Sequence, residues 1–161
     1  MQQRKREIKL FLNENKIDIL LISETHFTDR SYFNIYKYKT YCTNHPKRIA
    51  HGGTAIIINK EISHAKSIKF EDVFLHSTSV EIKDAYGSLV IATVYCLPRH
   101  AVNKDKFDKF FDILGVRFIS GGECNAKHRQ WGSRLSNPKG KELHKIMTSR
   151  GYRDIIDYTK I

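Results

Sequence analysis

The chain has 161 residues, of which 28 are Lys or Arg and 17 are Asp or Glu, so its formal net charge is +11. This length predicts a single domain over residues 1–161, large enough to bury a core without disulfides or structural metals. A hydrophobic content of 40% excludes intrinsic disorder. No apolar run approaches the roughly 20 residues that a membrane-spanning helix needs. We therefore expect no membrane partner, and the positive charge indicates a polyanion as the partner.

The cysteines and the N-terminal residues indicate the cellular compartment. Cys42, Cys96 and Cys124 are odd in number and lack metal-binding spacing, which argues against both a disulfide framework and a zinc site. The basic N-terminal residues are not followed by the apolar run of a secretory signal. Together these features predict an intracellular protein of the nucleus or cytoplasm that is not secreted.

The first part of the chain predicts a surface helix, two buried strands and a long loop. Apolar residues at helical spacing predict an amphipathic helix over 3–15. Residues 17–23 are apolar and β-branched, which indicates a buried strand. Residues 25–51 lack periodicity and are predicted to form an irregular loop that could hold one short strand. A second apolar strand is predicted at 54–58.

The middle of the chain predicts a hairpin followed by a helix. Alternation over 78–83 indicates a half-buried strand, and residues 84–87 have the composition of a turn. Residues 89–97 form a nearly continuous apolar strand, which Pro98 ends. The strongest helical period in the chain follows, formed by Phe107, Phe110, Phe111 and Leu114.

A short strand at 116–120 and a helix with clear end signals follow. Asn137 fits the N-cap of this helix, Pro138 its first position and Gly151 the residue after its end. Hairpin-joined strands combined with helical crossovers predict a single α/β or α+β domain.

Polar residues follow two of the predicted buried strands. Glu24 comes directly after the first strand, and Glu123 follows a strand that ends in two glycines. Because side chains at strand ends converge on one edge of a sheet, such carboxylates are natural ligands of a hard divalent cation. Asn125, two residues further on, could donate to a phosphate oxygen. The alternative is that polar residues simply end each strand.

A basic stretch lies near the end of the chain. It contains Trp131 and eight basic residues, with Glu142 as the one acidic residue among them: Lys127, Arg129, Arg134, Lys139, Lys141, Lys145, Arg150 and Arg153. Basic residues interleaved with aromatic ones are typical of a groove that binds the phosphate backbone of nucleic acids. The alternative is an ordinary solvated face of an already basic protein.

Five short motifs occur in order along the chain: Leu20-Leu21-Ile22-Ser23-Glu24-Thr25-His26, His51-Gly52-Gly53-Thr54-Ala55-Ile56, Val94-Tyr95-Cys96-Leu97-Pro98, Gly121-Gly122-Glu123-Cys124-Asn125-Ala126-Lys127-His128 and Trp131-Gly132-Ser133. As a set they resemble the apurinic-type endonuclease domain of non-LTR retrotransposons, especially the jockey-like clade, within the exonuclease–endonuclease–phosphatase superfamily. The segment from Asn137 to Leu143 resembles the Asn-Pro-Arg-Gly-x-x-Leu helix start of that clade. The resemblance extends over essentially the whole chain.

The resemblance implies an α/β fold, a four-layer sandwich of two mixed β-sheets flanked by helices. It implies a Mg²⁺-dependent enzyme, with Mn²⁺ as a possible substitute, that nicks DNA to prime reverse transcription. Glu24 corresponds to the metal-binding glutamate, Tyr95 to the tyrosine that contacts the reacting phosphate, and Asn125 to the asparagine that positions it. Implied partners are DNA and a reverse transcriptase domain in a parent polyprotein. The residues expected to contact DNA are Arg99, Lys127, His128, Arg129, Trp131 and Arg134.

Three departures from the family pattern lead us to expect impaired catalysis. Glu123 stands where the family has an aspartate that activates water, and it is one methylene longer. The family's N-terminal asparagine and its C-terminal Asp and Ser-Asp-His residues have no counterpart in residues 1–161. We therefore expect a partial domain, incomplete at its N- and C-terminal strands. The alternatives to a nicking enzyme are a non-catalytic DNA-binding remnant and a phosphomonoesterase of the same superfamily.

Overall fold

A computed structural model describes residues 2–31, 33–67 and 70–152. The elements in chain order are α1 (Gln2–Glu14), β1 (Ile19–Ser23), β2 (Tyr38–Thr43), β3 (Thr54–Asn59), β4 (His64–Lys66), β5 (Phe70–Glu71), β6 (Leu75–Asp84), β7 (Gly87–Cys96), α2 (Lys104–Leu114), β8 (Phe118–Glu123) and α3 (Pro138–Ser149), with a 3₁₀ turn at Arg129–Trp131. No helix in these ranges is long and apolar enough to cross a membrane.

The strands form two sheets. In the described residues, the first sheet has the order β1-β3-β2 and is antiparallel. The second has the order β4-β6-β7-β8, with β5 also paired to β6, and it is mixed because β8 runs parallel to β7. The return from β7 to a parallel β8 passes through α2, as a parallel connection requires.

Three hydrophobic clusters stack the elements into four layers. Leu12 of α1 packs with Ile57 on the outer face of the first sheet. Ile56 of the same β3 strand packs with Val80 and Ile91 between the two sheets. The outer face of the second sheet, through residues such as Val94, packs against α2 and α3. The predicted four-layer α/β sandwich is confirmed, and burial on both faces explains the continuous apolar run of β3.

The helix signals in the sequence are confirmed. The Asn137 side chain caps α3 by accepting a hydrogen bond from the Gly140 N–H, and Pro138 occupies the first turn. Gly151 has a φ of 64°, the left-handed conformation expected just after a helix end. The apolar face predicted for α2 is buried, with the residues Phe107, Phe110, Phe111 and Leu114.

Several strands differ from the sequence-based prediction. The short strand allowed within 25–51 is β2, whereas no pattern in the sequence predicted β4 and β5. β6 begins at Leu75 rather than 78, because its first residues are polar yet buried and hide the alternation. β8 ends at Glu123, so the two glycines lie inside the strand rather than after it. The strand start predicted at 154–157 lies outside the described residues.

A chain of buried hydroxyl groups joins the two sheets. The Thr54 and Thr78 hydroxyl oxygens are 2.9 Å apart, and Thr78 Oγ1 donates to Thr43 Oγ1 at 2.9 Å. Thr43 Oγ1 in turn donates to the Ser77 carbonyl at 2.9 Å. All three threonines are 0% exposed. Thr78 comes from the second sheet and its two partners from the first, so these hydrogen bonds fix one sheet against the other.

We predict that Thr78→Val destabilises the protein by about 1–3 kcal/mol, because the buried Thr54 hydroxyl loses its partner and Thr43 Oγ1 loses the hydrogen bond that it accepts. For a domain of this size, that corresponds to a melting temperature lower by roughly 2–4 °C per kcal/mol. Thermal denaturation followed by circular dichroism measures the change.

Thr40→Val is the matched control. In the described part of the chain, the buried Thr40 hydroxyl has no hydrogen-bond partner, so replacing it with a methyl group should be neutral or stabilising. Equal destabilisation by the two substitutions would contradict the role given to Thr78.

Candidate active site

Glu24 and Tyr95 meet across the gap between the two sheets. Glu24 follows β1 of the first sheet, and Tyr95 lies near the end of β7 in the second. The Tyr95 hydroxyl donates a hydrogen bond to Glu24 Oε1 at 3.0 Å. Burial raises the pKa of Tyr95, and its hydrogen bond to Glu24 raises it further, so the phenol keeps its proton at neutral pH. Tyr95 is therefore a fixed hydrogen-bond donor at this end of the sandwich.

The two glycines after His51 hold the Glu24 segment in place. The backbone N–H of Thr25 donates to the Gly53 carbonyl at 3.2 Å, and that of His26 donates to Gly52 at 2.7 Å. Gly53 has a φ of 84°, and a Cβ there would lie 2.7 Å from Thr25 Oγ1. Glycine is thus needed both for the backbone conformation and for the close approach of the two segments.

His26 lies beside the Glu24 carboxylate at the mouth of this site. Its Nε2 is 3.4 Å from Glu24 Oε1, and each side chain is 47% exposed. Glu24, His26 and Asn125 all have positive φ, at 58°, 54° and 49°. Residues other than glycine seldom adopt this conformation, and such strain concentrates at functional sites.

His76 supports the site from within the core, a role that sequence reasoning missed. Its Nδ1 accepts a hydrogen bond from the Gly53 N–H at 3.0 Å, and it lies opposite Tyr95 in the pairing of β6 with β7. Burial, and to a lesser degree the neighbouring His45, lowers the pKa of His76 to about 4. A neutral imidazole is required here, because the protonated form could not accept the Gly53 hydrogen bond. Nothing in a single sequence distinguishes this histidine from an exposed one.

Glu123 and Asn125 lie at the end of the neighbouring strand. Glu123 is exposed and stands opposite Tyr95 in the parallel pairing of β7 with β8. Asn125 Nδ2 donates to the Cys96 carbonyl at 2.9 Å, which holds its carboxamide against the end of β7. The structure therefore gathers the four predicted catalytic residues at the ends of three strands: Glu24, Tyr95, Glu123 and Asn125. Their catalytic roles stay predictions.

One carboxylate is available as the main metal ligand. In the described residues, no group of three or more His, Cys, Asp or Glu side chains is arranged to hold a metal ion. Glu24, half exposed and hydrogen-bonded through one oxygen, is a suitable single ligand. Mg²⁺ usually keeps several waters and binds through one or two carboxylates plus substrate phosphates. The residues present thus fit Mg²⁺ held by Glu24, water and a phosphate.

The residues expected to contact DNA lie directly after this site along the chain. The side chains of Lys127, Arg129, Arg134 and Arg99 are exposed. The His128 ring lies 5.3 Å from that of Trp131 and stacks on His144 at 4.0 Å. We call the residues expected to contact DNA the basic-aromatic surface and define it as Arg99, Lys127, His128, Arg129, Trp131 and Arg134.

The basic stretch is less uniform than its sequence suggests. Lys139 is only 5% exposed, and its Nζ donates to the Leu97 carbonyl at 2.6 Å, so it does not belong to a solvated face. Arg150 pairs with Asp108 and Asp112 of α2, at 2.8 and 2.7 Å. These acidic partners come from another helix, so the sequence of the stretch did not reveal them. Arg153 lies outside the described residues.

Comparison with known proteins finds similar sequences in mobile elements. A family model described as endonuclease-reverse transcriptase matches residues 89–159. The chain is 31% identical over 147 residues to the RNA-directed DNA polymerase from mobile element jockey of Drosophila funebris, an alignment that covers 91% of this chain and 16% of the relative. The jockey protein of Drosophila melanogaster matches with the same identity and coverage.

Solved structures share the fold. The endonuclease domain of TRAS1, a telomere-specific non-LTR retrotransposon, superposes with a TM-score of 0.71 at 16% identity, over 95% of this chain and 67% of that chain. The chain is therefore similar in sequence to the jockey proteins and in fold to the endonuclease domain of a non-LTR retrotransposon. The AP endonuclease LMAP from Leishmania major has the same fold, with a TM-score of 0.65 at 11% identity over 91% of this chain and 61% of that one. The chain spans about 16% of the length of its jockey relatives.

We predict that the stability of this domain falls in acid because of His76. The pKa of His76 is lowered from 6.5 to about 4 on folding. Below pH 6.5 the unfolded chain therefore binds a proton that the folded chain does not bind. The loss begins as the pH falls through 6.5, is complete near pH 4, and amounts to about 3 kcal/mol. Urea denaturation between pH 4 and pH 7 measures it.

His76→Gln is the variant to compare, since its amide oxygen can still accept from Gly53 but does not titrate. From pH 7 to pH 4, the native chain should lose about 3 kcal/mol of stability relative to this variant. Parallel curves would show that His76 does not cause the loss.

Proposed function

We propose that this domain is a Mg²⁺-dependent DNA endonuclease that hydrolyses one phosphodiester bond of a duplex and leaves a nick. The observation that carries the proposal is the Tyr95–Glu24 hydrogen bond at 3.0 Å, with Glu123 and Asn125 on the adjoining strand end. A hydrogen-bond donor, a carboxamide and two carboxylates at one mouth form a suitable set for phosphoryl chemistry.

Each residue has a distinct task in this proposal. When bound, Mg²⁺ would supply Lewis-acid polarisation of the phosphate, with Mn²⁺ as a possible substitute. Glu24 would hold the cation, and the neutral Tyr95 hydroxyl, which donates to Glu24 in the free protein, would turn its proton toward a phosphate oxygen when substrate is bound. Asn125, fixed through the Cys96 carbonyl, would orient the phosphate. Glu123 would take a proton from the attacking water.

Glu123 is also the reason to propose that catalysis is slow. In the family pattern this position is an aspartate, and the extra methylene displaces the carboxylate outward from the strand end. Because general acid–base assistance typically contributes about 10²–10⁴-fold, a displaced base lowers the rate substantially.

The basic-aromatic surface supports DNA as the substrate. Its cations adjoin Asn125 along the chain, so a duplex bound there would present its backbone to the site. The jockey relatives are named RNA-directed DNA polymerases. We therefore propose that a parent polyprotein joins this domain to a reverse transcriptase, which uses the 3′-hydroxyl of the nick as its primer. This role would place the protein where it meets chromosomal DNA, in the nucleus or in transit through the cytoplasm.

Nicking of supercoiled plasmid tests the proposed reaction. We expect slow nicking that needs Mg²⁺, at least about 10²-fold slower in Glu24→Ala and faster than native in Glu123→Asp. Glu61→Ala is the control, because Glu61 follows β3 at the end of the sandwich away from the site.

The same assay separates the alternatives. Binding without nicking, even in Glu123→Asp, would indicate a non-catalytic remnant. Release of phosphate from inositol phosphates without plasmid nicking would indicate the phosphomonoesterase. Nicking that persists in Glu24→Ala would contradict the proposed site.

Salt dependence tests the proposed DNA surface. Affinity for a duplex oligonucleotide should fall steeply between about 50 and 200 mM salt, because each neutralised phosphate releases a counterion. We expect Arg129→Ala and Arg134→Ala each to reduce the slope of log affinity against log salt by about 1. Fluorescence anisotropy measures both quantities.

Lys83→Ala is the charge-matched control for this measurement. Lys83 is exposed near the hairpin turn of β6, at the far end of the strand from His76. If its slope changes as much as those of the arginine variants, the cations bind DNA without a defined surface and the proposed interface is wrong.

A further inference from the structure

The backbone after β8 rests on the first turn of α3. Asn137 N–H donates to the Lys127 carbonyl at 3.0 Å, and Arg129 N–H donates to Ser136 Oγ at 3.2 Å. A Cβ on Gly140 would lie well inside contact distance of the Lys127 carbonyl, so only glycine allows the two backbones to come this close. The segment that carries Asn125 is therefore docked against a helix rather than free in a loop.

The Asn137 side chain contacts this segment at two points while it caps the helix. Its Nδ2 donates to the Asn125 carbonyl at 2.9 Å. Its Oδ1 accepts from Lys127 N–H at 3.1 Å and from Gly140 N–H at 2.7 Å. One carboxamide thus ties both sides of Ala126 to the helix start.

The same helix turn also reaches the Tyr95 strand. Lys139 Nζ donates to the carbonyl of Leu97, two residues beyond Tyr95, at 2.6 Å. Asn125 Nδ2 donates to Cys96, the residue between them. The start of α3 therefore holds two strand ends together, one carrying Tyr95 and the other Asn125.

We infer that Asn137 is a positioning residue for Asn125 and acts on the reaction without touching the DNA. The inference rests on the proposed endonuclease function. Asn125 has a φ of 49°, a conformation that costs free energy and persists only where contacts on both sides impose it. The Asn137 Nδ2 contact with the Asn125 carbonyl is one of these, and without it the backbone that directs the Asn125 carboxamide toward the Cys96 carbonyl is held less firmly.

Two variants separate positioning from capping. Asn137→Asp keeps the capping oxygen and the acceptor for Lys127, and it replaces the Nδ2 donor to the Asn125 carbonyl with a charged oxygen that cannot donate. Asn137→Ser also caps a helix but is too short to span both contacts, and it adds no charge. Asn103 is the matched control, since it caps α2 by accepting from Lys106 N–H at 3.1 Å, away from the site. Asn103→Asp and Asn103→Ser make the same chemical changes.

Single-turnover nicking and duplex affinity are measured for all four variants. We expect both Asn137 variants to nick about 10-fold or more slowly, because small misplacements at a reacting centre can cost up to about 10²-fold. Duplex affinity and melting temperature should match those of the corresponding Asn103 variants. An unchanged nicking rate would overturn the inference, as would an equal loss in the Asn103 variants.

Nuclear magnetic resonance decides the inference independently of activity. The side-chain amide resonances of Asn125 should shift in Asn137→Asp and stay in place in Asn103→Asp. If the native chain does not nick plasmid, the proposed function fails, while these resonances still support or overturn the positioning of Asn125. No shift in Asn137→Asp would overturn it.

Discussion

The candidate site depends on how the two sheets are fixed against each other. Glu24 belongs to one sheet and Tyr95 to the other, so their 3.0 Å hydrogen bond forms only when the sheets have one defined offset. The hydrogen-bonded hydroxyls of Thr43, Thr54 and Thr78 lie one layer below the Glu24–Tyr95 hydrogen bond. The hydrogen bond from Thr93 Oγ1 to the Ile22 carbonyl, at 3.3 Å, lies in the same layer. Apolar packing tolerates small slides between sheets, whereas directed hydrogen bonds between buried groups do not. The polar layer beneath the site therefore fixes the offset of the two sheets more closely than the apolar core does.

Local signals made the helices and the apolar strands predictable. Asn137, Pro138 and Gly151 mark the ends of α3 through backbone rules that hold in any fold. The apolar run of β3 predicted a strand, and the structure buries that strand on both faces. The start of β6 was not predictable, because Ser77, Thr78 and Ser79 look solvent-facing until the opposite sheet is present.

The candidate site was likewise predictable only in part. The motifs placed Glu24, Tyr95, Glu123 and Asn125 correctly at strand ends. They did not reveal His76, which stays neutral and so accepts the hydrogen bond from the Gly53 N–H. They also did not reveal the burial of Lys139. A lysine in a basic stretch is ordinarily solvated, and Lys139 is buried because its helix turn closes over the end of β7. Such roles depend on contacts distant in sequence, which local patterns do not encode.

Glu24 and Tyr95 are separated by 71 residues, and this separation has a consequence for how the site is assembled. Hairpins such as β6–β7 bring together residues that are close in sequence, and they can form early at low entropic cost. The contact between Glu24 and Tyr95 must wait for the two sheets to dock. A nascent or partly opened chain therefore has no assembled site.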